Sequence, residues 1–298
     1  MSYVRGDSDG AVEIVNNWVA DKTNNKITKL VSADDVDERT RLILVNAIYF
    51  KGDWLRKFNI TDTKDDDFHI SPNESVTVKM MNVTADFFYT EIAELKCQAI
   101  ELPYVEEKVS MFILLPDQEE TNLSEVEQKL TFLHLKDIRN DFQMRMEEVR
   151  LSLPKFSLDE KLSLTRMLGE MGMQDLFTMG VADLSGMDGS DDLYVSNVLH
   201  RAVVEVSEEG TEASAATAVV VAFESLRPPA ITFRANHPFI FLIQDKATKS
   251  ILFLGRLANP STSVSSGSTG RREALVTPLG LLLAMCFLLF NTCTNSWK

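Results

Sequence analysis

Side chains able to do chemistry are few in this sequence, and they are not grouped as catalysis or metal binding requires. The four histidines, His69, His134, His200 and His237, stand far apart. No HExxH helix, GxSxG elbow, paired CxxC or glycine-rich phosphate loop occurs. The sequence therefore points to no enzyme, no metal site and no cofactor. Of the three cysteines, Cys97 is alone and Cys286 and Cys293 lie near the end, so no disulfide framework is expected. Modifiable amides are more frequent. Asn59, Asn73, Asn82 and Asn122 each head an Asn-X-Ser/Thr sequon, all within 66 residues, which predicts a glycoprotein of the secretory pathway. Met1 to Gly10 is polar and carries no apolar signal core, so a secreted protein would need residues ahead of this sequence.

One stretch suggests chemistry done to the chain rather than by it. Glu208-Glu209-Gly210-Thr211-Glu212-Ala213-Ser214-Ala215-Ala216-Thr217-Ala218-Val219-Val220-Val221-Ala222 follows a run of small residues with β-branched ones, and Pro228-Pro229 closes it. Its alanines favour helix, while its valines and threonines favour strand. It has no 3.6-residue apolar stripe. A loop that becomes a strand later fits this composition.

The elements around it must come from the remaining chain. With 298 residues there is ample core material, and a net charge of −14 argues against nucleic acid and anionic membrane surfaces as partners. Ala11, Ile14, Val15 and Trp18 predict an amphipathic helix over about 10–31, interrupted near Thr23-Asn24-Asn25. The nearly continuous apolar run 42–50 predicts a strand buried on both faces, in which Asn46 needs a partner. Short strands follow over 67–115, then a polar helix at 123–140, a strand at 149–156 and a helix on Leu164, Met167, Leu168 and Met171. A strand from Val203 leads into the small-residue stretch, and strands at 231–233, 239–243 and 251–254 make a β-rich end. Strands and helices do not alternate regularly, so the fold class is α+β.

Read together, these residues resemble the serpin family of protease inhibitors over about Ala11 to Pro260. Asn17-Trp18-Val19 with Thr23 and Lys26-Ile27 is similar to the helix in front of the family's main sheet. Asn46-Ala47-Ile48-Tyr49-Phe50-Lys51-Gly52-Asp53-Trp54 resembles its third main-sheet strand. Phe233-Arg-Ala-Asn236-His237-Pro238-Phe239-Ile-Phe241 resembles its C-terminal signature, followed by Phe253-Leu-Gly255-Arg256. The resemblance implies a mixed main β-sheet with surrounding helices and an exposed reactive-centre loop. It also implies a covalent complex with a target serine protease: the loop is cut, the acyl-enzyme is trapped, and the loop inserts as a new strand in the sheet.

The small-residue stretch then takes the place of hinge and reactive loop. As a strand from Thr211, one face would carry Thr211, Ala213, Ala215, Thr217, Val219 and Val221, all small or β-branched, and Gly210 gives the backbone freedom to swing. The family's spacing from Gly210 places the scissile bond at Glu224–Ser225; a slip of one gives Phe223, and a slip of three gives Arg227. Thr211–Glu224 would span about 45 Å as a strand, enough to drag the protease out of catalytic register. By position, Lys155 and Glu208 correspond to the family's ion pair where insertion starts, with Trp54 in the same region. Asn46 and His200 correspond to the polar cluster that lets the strands part.

Two departures from the pattern are expected. The resemblance begins after the family's N-terminal helices and two of its main-sheet strands, so residues 1–260 read as an N-terminally truncated serpin domain. A polar linker, 261–273, is followed by a hydrophobic segment with a polar end, 274–298. Ala274–Phe290 is 17 mostly apolar residues, which suggests membrane attachment through a span or a lipid-anchor signal at an extracellular or cell-surface location. The rival to a suicide-substrate inhibitor is a non-inhibitory serpin acting as a binding, carrier or surface-display protein, or an inactive truncated isoform.

Overall fold

The computed structural model describes residues 8–136, 138–208 and 229–260. Its strands are β1 Leu42–Lys51, β2 Lys64–Ser71, β3 Glu74–Ile92, β4 Cys97–Pro103, β5 Val109–Pro116, β6 Arg145–Pro154, β7 Phe156–Ser163, β8 Val195–Val206, β9 Ile231–Arg234, β10 Phe239–Asp245 and β11 Ile251–Leu257. The helices are α1 Ser8–Lys22, α2 Leu123–Lys129, α3 Phe132–Lys136, α4 Ile138–Asp141, α5 Thr165–Glu170 and α6 Ser185–Asp188. The chain forms two units, Met1–Lys51 with Ser157–Glu205, and Gly52–Phe156 with Val206–Lys298.

In the first unit three strands run in the order β1-β8-β7. β1 and β8 are parallel and stay in register from Ile43↔Asn197 to Lys51↔Glu205. Helix α1 covers one face, with Val12, Val15 and Val19 over Ile43, Val45, Ala47 and Tyr49 of β1 and Leu199 and Val203 of β8. Asn16 ties helix to connection: its Oδ1 accepts from Leu30 N at 2.8 Å and Val31 N at 3.0 Å, and its Nδ2 donates to Val31 O at 2.8 Å.

Three sequence expectations change here. The helix ends at Lys22 rather than near residue 31, because Asn24 and Asn25 adopt positive φ and Thr23 Oγ1 bonds Val19 O and Ile27 N. Its inward stripe is Val12-Val15-Val19, while Ile14 and Trp18 are 44 % and 52 % exposed. β1 is half-buried along most of its length instead of buried on both faces, and Leu44, alternating away from the α1-covered row, is 39 % exposed.

The second unit holds the larger sheet, in the order β11-β10-β5-β4-β3-β6-β9, with β2 paired to β3. β5 and β10 are buried from Ser110 to Pro116 and from Phe239 to Gln244. Phe112, Leu114, Ile240 and Leu242 pack with Val126, Leu135 and Ile138 from the helices above. The polar helix expected at 123–140 is three short helices, α2 to α4; Asn122 caps the first, its Oδ1 accepting from Glu125 N at 3.0 Å. Gly255 faces Phe241 so closely that a Cβ there would lie 2.7 Å from the ring, which is why glycine occupies this strand position. The strand read at 149–156 divides at Lys155, between β6 and β7, and the Lys155 N–H donates to Lys79 O at 2.8 Å.

Candidate functional site

Ser207 and Glu208 are the last described residues after β8, and side chains from elsewhere in the chain hold both. Trp54 is 2 % exposed and its Nε1 donates to Ser207 O at 2.9 Å. The indole stacks on Tyr104 at 4.4 Å and meets the edge of Phe58 at 6.1 Å. A β-bridge between Trp54 and Tyr104, with Leu55 N donating to Pro103 O, fixes the ring against the end of β4. Burial pushes the Tyr104 phenol pKa far up, so this aromatic wall stays uncharged.

Glu208 is 7 % exposed, a depth at which a carboxylate needs partners. Among the described residues, two others supply them: Lys155 Nζ lies 2.9 Å from Oε2, and Thr63 Oγ1 donates to Oε1 at 3.0 Å. Burial alone would raise the carboxyl pKa. The backbone N–H of Glu208 and the bonds from Lys155 and Thr63 outweigh it, so the group titrates below its ordinary value. The arrangement pins the chain just past the end of β8.

Asn46 and His200 are brought together as register partners across β1 and β8. Burial holds the His200 imidazole below its usual pKa and favours the neutral ring. The four sequons are placed unequally. Asn59, Asn73 and Asn122 are exposed, whereas Asn82 is half-buried in β3 with its amide engaged at both ends. Gly210, Thr211, Ala213, Ala215, Phe223, Glu224, Ser225 and Arg227, and the segments 261–273 and 274–298, lie outside the described residues.

Sequence reasoning singled out Trp54, Lys155 and Glu208 but missed Thr63, Tyr104 and Ser152. Thr63 meets Glu208, the Ser152 hydroxyl meets the Asn82 amide, and Tyr104 pairs with Trp54, each across 50 or more residues of chain. No local pattern carries that information.

The profile of the serpin family, described as serine protease inhibitors, matches residues 4–260. The chain belongs to the serpin family. Among curated serpins, the leukocyte elastase inhibitor of Bos taurus is 45 % identical over 263 residues, covering 87 % of this chain and 69 % of the relative. The human protein of that name is 44 % identical over 256 residues, covering 85 % and 67 %. Among solved serpin structures, uncleaved ovalbumin superposes with a TM-score of 0.76 at 33 % identity, covering 86 % of this chain and 64 % of that one. Maspin gives 0.77 at 29 % identity, covering 86 % and 67 %. The chain thus spans about two thirds of the length of these serpins, and its mixed sheets and helices are the serpin fold.

Proposed function

We propose that this serpin inhibits a serine protease as a suicide substrate, with Thr211–Glu224 entering between β1 and β8 after cleavage at Glu224–Ser225. The observation that supports it most is the β1–β8 pair. It is parallel, in register up to Lys51↔Glu205, and ends directly before the pinned Ser207-Glu208. A segment that leaves the end of β8 and folds back runs antiparallel to both strands. Insertion therefore exchanges one parallel ladder for two antiparallel ones, which are slightly more stable per residue. The small face of Thr211, Ala213, Ala215 and Thr217 enters without a charge to bury.

The chemistry is one acyl transfer. The protease serine attacks the Glu224 carbonyl, Ser225 leaves with a new amino group, and the ester stays on Glu224. Insertion then pulls the ester from the oxyanion hole and base before water can attack. In the same proposal the exposed sequons Asn59, Asn73 and Asn122 carry glycans, and Ala274–Phe290 attaches the protein at a cell surface. Among the described residues no helix is long and apolar enough to cross a membrane, so the attachment rests on that segment's composition.

The test mixes the full chain with elastase, a Glu-cutting protease, a chymotrypsin-like protease and a trypsin-like one. Elastase is included because the curated relatives carry its name. A band at the summed mass on a denaturing gel, with the cut mapped by mass spectrometry, is the expected result and identifies the scissile residue among Phe223, Glu224 and Arg227. Clean cleavage without a complex for all four would sink the inhibitor reading and favour a carrier role.

A further inference from the structure

Glu208 does not rest on Lys155 alone. Its second partner, Thr63, follows a short helical turn, Ile60–Asp62, that contains no buried residue; Ile60 is 69 % exposed. Apolar packing therefore does not hold this turn. A carboxamide ties it to the sheet: Asn82 Nδ2 donates to Asp62 O at 2.9 Å, and also to Met80 O at 3.2 Å. Asn82 Oδ1 accepts from Ser152 Oγ at 2.7 Å, which sets the amide's orientation, and Asn82 and Ser152 are register partners on β3 and β6. The path Ser152–Asn82–Asp62–Thr63–Glu208 is continuous through hydrogen bonds and one peptide link.

We propose that Asn82 is a positioning residue for inhibition: its carboxamide clamps the turn at 60–63 so that Thr63 holds Glu208 as the pivot of the inserting loop. The last clause rests on the inhibitor reading; the clamp itself does not. The clamp uses both Nδ2 hydrogens, one for each carbonyl. A glycan on Nδ2 would remove one of them and place a sugar between β3 and the turn. Clamp and glycan therefore compete for the same nitrogen, and a glycan on Asn82 would cost the amide at least one of its two ties.

The test compares the full chain with Asn82→Ala, Asn82→Asp, Ser152→Ala and Thr84→Ala. The last destroys the sequon and leaves the clamp intact. Hydrogen exchange at 60–63 and 207–208, followed with Trp54 emission, reads the clamp without any protease. Loss of one hydrogen-bonded tie predicts exchange about tenfold faster in Asn82→Ala and Asn82→Asp, a smaller rise in Ser152→Ala and none in Thr84→Ala. The partition between covalent complex and clipped product reads the pivot, and should shift severalfold toward clipping in the same order.

Unchanged exchange in both Asn82 variants would overturn the clamp, as would equal acceleration in Thr84→Ala. Faster exchange with an unchanged partition would overturn the role in inhibition. If the unaltered chain forms no covalent complex, the inhibitor reading falls, and exchange still decides the clamp. If Asn82→Ala does not fold, Ser152→Ala carries the same decision, because it removes only the group that orients the amide.

Discussion

β5 and β1 are both nearly continuous apolar runs, and the fold treats them differently. β5 sits between β4 and β10 and is buried from Ser110 to Pro116, with Phe112 and Leu114 under helices. β1 has β8 as its neighbour, carries α1 over one row of side chains, and is half-buried along most of its length. An apolar run shows that a strand can be covered on both faces, but the cover itself comes from other elements. The difference also suits the proposed division of labour. In the proposed insertion the strand that parts from its neighbour, β1, is the less buried of the two.

The comparison breaks most directly at leucines. Leu114→Ala, at a side chain with 0 % exposure, should cost about 2–5 kcal/mol in urea unfolding. Leu44→Ala, at 39 % exposure, should cost under about 1 kcal/mol. Equal losses would show that the open face of β1 is covered after all.

Gly255→Ala comes next, at about 1–3 kcal/mol, because the new methyl meets the Phe241 ring. Adding Phe241→Leu should recover part of that loss by removing the ring. Lys155→Met should cost roughly 1 kcal/mol, since the lysine is 49 % exposed but leaves a buried carboxylate with fewer partners. Trp54 emission would report that change at Ser207.

The smallest expected effects are in pH. Glu208 titrates below its ordinary value of 4.5 when folded, so its contribution is present above that pH and is lost as pH falls through the depressed value. Glu208→Gln should flatten the acid limb of a stability profile. His200 is likewise held below 6.5, so the fold loses stability as pH drops from there toward the depressed value; burial also lowers His237, so His200→Gln should reduce that slope rather than abolish it. A slope left unchanged by the substitution would show that the fold does not hold His200 neutral.

Much of this molecule was legible in its residues. The strands at 42–51, 109–116 and 239–245 announced themselves by hydrophobicity, and the turn after α1 by Thr23-Asn24-Asn25. Trp54, Lys155 and Glu208 were reached by resemblance, and the geometry brings Trp54 to Ser207 and Lys155 to Glu208. The reversed stripe of α1 was not legible, because Ala11-Ile14-Trp18 and Val12-Val15-Val19 both satisfy helical spacing, and only the sheet beneath selects one.

Asn82 shows the limit most clearly. Its sequence context advertises a glycan acceptor, an identity that needs only three consecutive residues. Its role as a clamp depends on Asp62 and Ser152, which lie 20 and 70 positions away. Local pattern determined the elements and the chemical types available here. Which carboxylate is buried, which amide is engaged and which apolar face stays open were decided only by tertiary structure, because burial and hydrogen bonding are set by neighbours that the chain brings together when it folds.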